Sequence, residues 1–121
     1  MQESGENYLE TILILSERKG LVRSIDVANE LGFAKPSVSR AVKLLSESGL
    51  IVMRENGDLV LTEAGRARAE AIYDRHRTIS RFFRDVLGIS PETADGDACR
   101  IEHIISEESF EKIKEFLKME R

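Results

Sequence analysis

The chain has 121 residues, a net charge of −4, 41% apolar residues and one cysteine. A lone cysteine excludes an intramolecular disulfide, and no apolar run approaches the roughly 20 residues needed to span a bilayer. Residues 1–17 carry Glu3, Glu6, Glu10 and Glu17 and no base, unlike the basic start of an export signal, so a cytoplasmic chain with no membrane association is expected.

In chain order, residues 4–18 read as a helix, with Tyr8, Leu9, Ile12, Leu13 and Leu15 on one stripe and Gly20 as its stop. Ser24 is the expected N-cap of a short helix from Ile25 to Leu31, closed by Gly32. Pro36, near the first turn of the next helix, loses no hydrogen bond there. That helix reaches Ser48, buries Val38, Ala41, Val42 and Leu45, and stops at Gly49. Residues 50–61 then change period. Leu50, Val52, Leu59 and Leu61 alternate about Asn56-Gly57, a pair in which both residues tolerate positive φ, which predicts a tight hairpin.

Thr62 caps a long helix through about Leu87, its buried side drawn from Ala64, Ala67, Ala71, Ile72, Ile79, Phe82, Phe83, Val86 and Leu87. Ser90-Pro91 opens a helix to about Ile105, and Ser106 caps a last one containing Phe110, Ile113, Phe116 and Leu117. The expected architecture is mainly α: a winged helix-turn-helix over residues 1–65, then a helical domain over residues 66–121. The join lies inside the long helix.

Charge is unevenly spread. Residues 18–55 hold seven bases and four acids, a net of +3, while residues 86–121 net −4. The helix opening at Lys35 is therefore the candidate DNA reader. Ser37, Ser39, Arg40 and Lys43 fall outside its apolar stripe. Short hydroxyls allow close approach to the major groove, Arg40 suits a guanine edge, and Lys35 and Lys43 suit phosphates. Pro36 is placed against a thymine methyl, and Arg54 in the wing against the phosphate backbone. So modest a basic excess predicts weak non-specific binding, with a dimer needed for useful affinity.

Cys99, Glu102 and His103 stand at i, i+3 and i+4 of the predicted fifth helix, on one face. Together with Asn7 and Glu10 on the first helix and His76 on the long one, they form a candidate metal set. Each alone has a plain structural explanation. As a group they include the only cysteine and both histidines of the chain. A mixed sulfur, nitrogen and oxygen set suits ferrous iron, manganese, cobalt or zinc better than calcium or magnesium, and the paired Cys-x-x-Cys of structural zinc is absent.

Over its whole length the chain resembles the diphtheria-toxin-repressor family of metal-dependent transcriptional repressors. The resemblance is carried by Glu6-Asn7-Tyr8-Leu9-Glu10-Thr11-Ile12, by Pro36-Ser37-Val38-Ser39, by Arg75-His76-Arg77, and above all by residues 97–106. It implies a winged-helix domain followed by a metal-binding and dimerisation domain, as in the short form without an SH3-like domain. It also implies a homodimer that, loaded with Fe2+ or Mn2+ (Co2+, Ni2+ or Zn2+ substituting), binds palindromic double-stranded operators and represses metal-uptake or homeostasis genes.

Residue by residue, Cys99, Glu102 and His103 match the primary ligands of the iron branch. His76 matches a ligand position in both branches, and Glu10 matches one in the manganese branch. The chain departs from the pattern at Asn7, where relatives place Met or Asp, and at Ser80 and Asp95, where the iron branch has Glu and His. The competing reading is a winged-helix regulator that senses a small organic ligand or thiol oxidation at Cys99. An enzyme is not expected, because the chain lacks a His-Glu-x-x-His helix, a phosphate-binding glycine loop and a nucleophile elbow.

Overall fold

The computed structural model describes residues 3–119, which form six α-helices and one two-stranded sheet. The contacts divide the chain into two units, residues 1–70 and 71–121.

In the first unit, α1 (Glu3–Lys19), α2 (Ser24–Leu31) and α3 (Lys35–Glu47) precede β1 (Ile51–Met53) and β2 (Leu59–Leu61), and α4 (Glu63–Arg81) begins. Leu9, Ile12 and Leu13 of α1 share a core with Val22, Val27, Val38 and Ile51, each at most 1% exposed. The α2–α3 corner is a helix-turn-helix. Gly32, at φ 70°, ends α2 in the left-handed region, and its N–H returns to Ala28 O at 2.9 Å. Pro36 lies in the first turn of α3. Of the residues expected to face inward there, Val38, Val42 and Leu45 are buried and Ala41 is half-buried.

Three local expectations need correction. Ser24 is not the cap of α2. Asp26 accepts from Arg23 N at 2.8 Å and from Lys19 Nζ at 2.7 Å, which moves the cap back one residue to Arg23 and starts the helix at Ser24. The wing pairs Ile51 with Leu61 and Met53 with Leu59, so its inward residues are Ile51 and Leu59, while Val52 is half exposed. The turn is not one in which both Asn56 and Gly57 take positive φ. Only Gly57 does, at 93°; its N–H reaches Arg54 O at 2.9 Å, and Arg54 N reaches Asp58 O at 2.9 Å. That is a type I turn closed by a glycine bulge, which spares Asn56 the left-handed strain.

The wing is also tied down in a way the sequence did not announce. Leu59 N donates to Val22 O at 2.7 Å, and Arg23 bridges Asp58 through the backbone. The Arg23 Nε–Asp58 Oδ1 pair at 3.3 Å and the Asn56 Nδ2–Asp58 Oδ2 bond at 3.0 Å complete the anchor on a buried carboxylate.

Thr62 caps α4 as expected. Its Oγ1 accepts from Gly65 N at 3.0 Å and donates to Gly49 O at 2.7 Å. The buried stripe of α4 differs from the expected one. Gly65, Ala69, Ile72 and Ile79 are buried, whereas Ala64, Ala67 and Ala71 are exposed. The stripe starts at Gly65 because that residue lies directly against the Leu50 carbonyl.

In the second unit α4 does not run on to Leu87 as an α-helix. Residues Phe82–Val86 form a π-helical turn closed by Leu87 N to Phe82 O at 3.3 Å, and Leu87 is 55% exposed. The wider turn shifts the register, which is why Leu87 leaves the stripe. Then come α5 (Pro91–Ile101), capped by Ser90 Oγ on Thr93 N, and α6 (Glu107–Met119), capped by Ser106 Oγ on Ser109 N. Helix α5 stops at Ile101, four residues short of the expected end. Ile79, Ala98 and Phe110 form the core of this unit, with Phe83, Ile101 and Ile105 packed on it.

Candidate metal centre and nucleic-acid interface

Two sites lie on this frame. On α3, Lys35, Pro36, Ser39, Arg40 and Lys43 are exposed and Ser37 is half-buried, all off the Val38–Val42–Leu45 stripe. Arg54 is exposed in the wing turn. The cations and hydroxyls proposed for DNA thus share one helix surface, and the opposite surface is anchored in the core.

The second site is built around His76. It follows Ile72 by four residues and precedes Ile79 by three, so the correct α4 stripe carries its ring inward, and its side chain is 15% exposed. Nδ1 lies 3.1 Å from Glu102 Oε1, and Nε2 lies 2.6 Å from Asp95 Oδ1. The Glu102 hydrogen bond, opposed by desolvation and assisted by Asp95, pushes the His76 pKa from 6.5 up to about 9. The imidazole therefore holds a proton through the neutral range, pinned between two carboxylates.

Glu102 is the most informative member. It is 1% exposed, and Oε2 has no hydrogen-bond partner among the described residues. A buried carboxylate oxygen left unsatisfied is costly, and a cation beside it removes the cost. Imidazole nitrogen with carboxylate oxygen is a donor set for a divalent first-row transition metal. The residues present therefore fit such an ion.

The remaining candidates are placed differently. Cys99 is exposed on α5, and His103 is half-buried just past the helix end. The three side chains expected on one face of a continuous helix thus straddle its terminus, and only Glu102 is buried. Asn7 and Glu10 lie one turn apart on α1, half-buried and buried respectively. Asp95 was read from the sequence only as a departure from a pattern; its contact with His76 depends on how α5 packs in this unit.

Comparison with known proteins decides what these sites belong to. Residues 1–59 match the family model described as iron dependent repressor, N-terminal DNA binding domain, and residues 62–120 match iron dependent repressor, metal binding and dimerisation domain. A helix-turn-helix transcriptional regulator of Methanocaldococcus jannaschii is 33% identical over 118 residues, 97% of this chain and 94% of that protein. The chain belongs to the iron-dependent repressor family of transcriptional regulators. The transcriptional regulator MntR of Escherichia coli is 36% identical over 95% of this chain and 74% of its own length. The solved structure of the manganese regulator SloR superposes with a TM-score of 0.83 at 29% identity, over 94% of this chain and 53% of that one. The chain thus spans about half the length of that regulator.

The α3 surface, β1 and the wing turn fall within the residues matched to the DNA-binding model, and the His76–Glu102 pair falls within those matched to the metal-binding and dimerisation model. Among the described residues, no helix is long and apolar enough to cross a membrane.

Proposed function

We propose that this chain is a metal-activated transcriptional repressor working in the cytoplasm as a homodimer. Its ion is Fe2+ or Mn2+, with Co2+, Ni2+ or Zn2+ able to substitute. His76, Glu102, Cys99 and His103 supply ligands from the second half of the chain, and Glu10 and Asn7 supply them from the first helix. Lys35, Pro36, Ser37, Ser39, Arg40 and Lys43 contact a palindromic operator, and Arg54 contacts its backbone. Regulated genes are those of metal uptake or homeostasis. The observation that carries the reading is the buried, unsatisfied Glu102 oxygen beside His76, in a chain whose relatives are named as iron-dependent repressors and as a manganese regulator.

Once bound, the ion would supply positive charge at the Glu102–His76 cluster. In a metal-loaded dimer the spacing of the two reading helices would have to match half-sites about one helical turn apart. The gain in DNA affinity equals the metal's preference for that arrangement over the others. Operator binding, followed by fluorescence anisotropy while Mn2+ or Fe2+ is titrated, is the direct test. Binding should rise with metal and collapse with a chelator; operator affinity unchanged by either would end the proposal.

Two further outcomes follow. His76 must lose its proton to ligate, and its pKa of about 9 means that this proton is displaced throughout the neutral range. Metal affinity should therefore climb by at least about tenfold per pH unit between roughly pH 6 and 8, since His76 and the Cys99 thiol each give up a proton to ligate, with proton release visible in calorimetry across buffers of different ionisation enthalpy. A flat profile with no proton released would exclude His76 as a ligand. On the DNA side, Lys43→Ala should weaken binding about equally for all sequences and reduce the slope of log K against log salt by about 1, as expected for one lost phosphate contact. An unchanged slope would remove Lys43 from the interface.

A further inference from the structure

Arg75 precedes His76 on α4, and its surroundings point to a role that its type alone does not suggest. Helix α5 ends at Ile101. Beyond it, Glu102 N still bonds Ala98 O at 2.9 Å, and Ile104 N and Ile105 N both turn back to Ile101 O. Carbonyls at such an end have no further helical N–H to accept from. Arg75 reaches one of them and one carbonyl of the connecting segment: Nη1 donates to Glu102 O at 3.5 Å and to Ile105 O at 3.3 Å. Nη2 donates to Glu107 Oε2 at 2.6 Å, at the start of α6. The guanidinium carbon sits 5.1 Å from the centroid of the buried Phe110 ring. One planar group thus ties the end of α5, the connecting segment and the start of α6 to the helix that carries His76.

We propose that Arg75 is a positioning residue for the metal centre. It fixes residues 102–106, and with them the Glu102 and His103 side chains, relative to His76. The inference rests on the metal reading above. The reason is geometric. Ligand atoms have to be held within about half an ångström of their working positions, and the segment bearing two of them lies outside regular helix. Because His76 and Arg75 are neighbours on one rigid helix, a ligand and the tether of its partner ligands move together. Glu107 is 72% exposed, so its ion pair with Arg75 adds little; the two carbonyls and the ring carry the effect. Lysine retains the charge but lacks the planar fork that meets separate acceptors at once.

The experiment uses the full chain, Mn2+ as the probe, and the variants Arg75→Ala and Arg75→Lys. Calorimetry should give Mn2+ affinities about 10- to 100-fold weaker for Arg75→Ala, with Arg75→Lys recovering only a minor part. In the metal-free chain, amide exchange at residues 103–106 should quicken about tenfold while residues 72–79 keep their wild-type rates. Affinities in both variants within about twofold of wild type would overturn the proposal, since supporting residues normally cost more than that. So would exchange that rises equally along α4, α5 and α6, because that marks general loss of fold. A wild-type chain that binds neither Mn2+ nor Fe2+ overturns the metal reading and this inference with it, whereas a binding wild type beside equally binding variants overturns this inference alone.

Discussion

Replacing Glu102 with glutamine should lower divalent-metal affinity by about 100-fold or more, since even residues that merely support a ligand are worth about 10- to 100-fold. The substitution preserves volume at a position only 1% exposed, so it creates no cavity; it removes the charge and one of two equivalent oxygens. The same change should show itself without metal. The Glu102 hydrogen bond is the largest influence raising the His76 pKa, so the His76 midpoint should fall from about 9 toward 6.5 in an NMR titration.

The pairing of His76 with its carboxylates also links stability to pH. A histidine whose folded pKa is raised stabilises the fold fully below its unfolded value near 6.5, and that contribution disappears as pH rises through about 9. Glu102→Gln should therefore be less stable than wild type at pH 6, by up to about 3 kcal/mol at 1.36 kcal/mol per unit, with the gap closing above pH 9. Unaltered metal affinity together with an unmoved His76 midpoint would show that Glu102 neither ligates nor pairs.

Gly65→Ala should destabilise the first unit by about 3 kcal/mol or more. Two effects oppose each other. Alanine is the better helix former, by at most about 1 kcal/mol at this first-turn position. Against that, a Cβ at Gly65 would lie 1.8 Å from Leu50 O and 2.8 Å from Leu50 C, both backbone atoms. Leu50 cannot easily yield. Its N–H bonds Leu45 O at 3.0 Å, its carbonyl accepts from Thr62 N at 3.1 Å, and it leads directly into β1. Either the start of α4 or the wing has to shift, so the steric cost exceeds the helix gain. Urea unfolding should register a lowered midpoint with an unchanged slope. A variant as stable as wild type would mean that α4 and Leu50 are not in contact.

Much of this was written in local chemistry. Gly32 stops α2; Thr62, Ser90 and Ser106 open their helices; and the basic excess over residues 18–55 lies around α3. These signals depend on one residue and its near neighbours, so a sequence carries them openly. Helix α4 shows where that legibility ends. Ala64, Ala67 and Ala71 fit an apolar stripe as well as Gly65 and Ala69 do, and alanine is too indifferent to burial to choose between them. The Leu50 carbonyl chooses, by admitting only a residue without a side chain.

By itself the sequence determined the helix order and marked a candidate reading helix and candidate metal ligands by residue type, because periodicity, caps and side-chain chemistry are properties of short stretches. The tertiary structure decided the rest. It ended α5 at Ile101, set His76 between Glu102 and Asp95, and bound Arg23 to Asp58 across 35 positions and Arg75 to Ile105 across 30. Which polar groups meet once water is excluded is settled by packing between elements distant in the chain, and no local pattern encodes it.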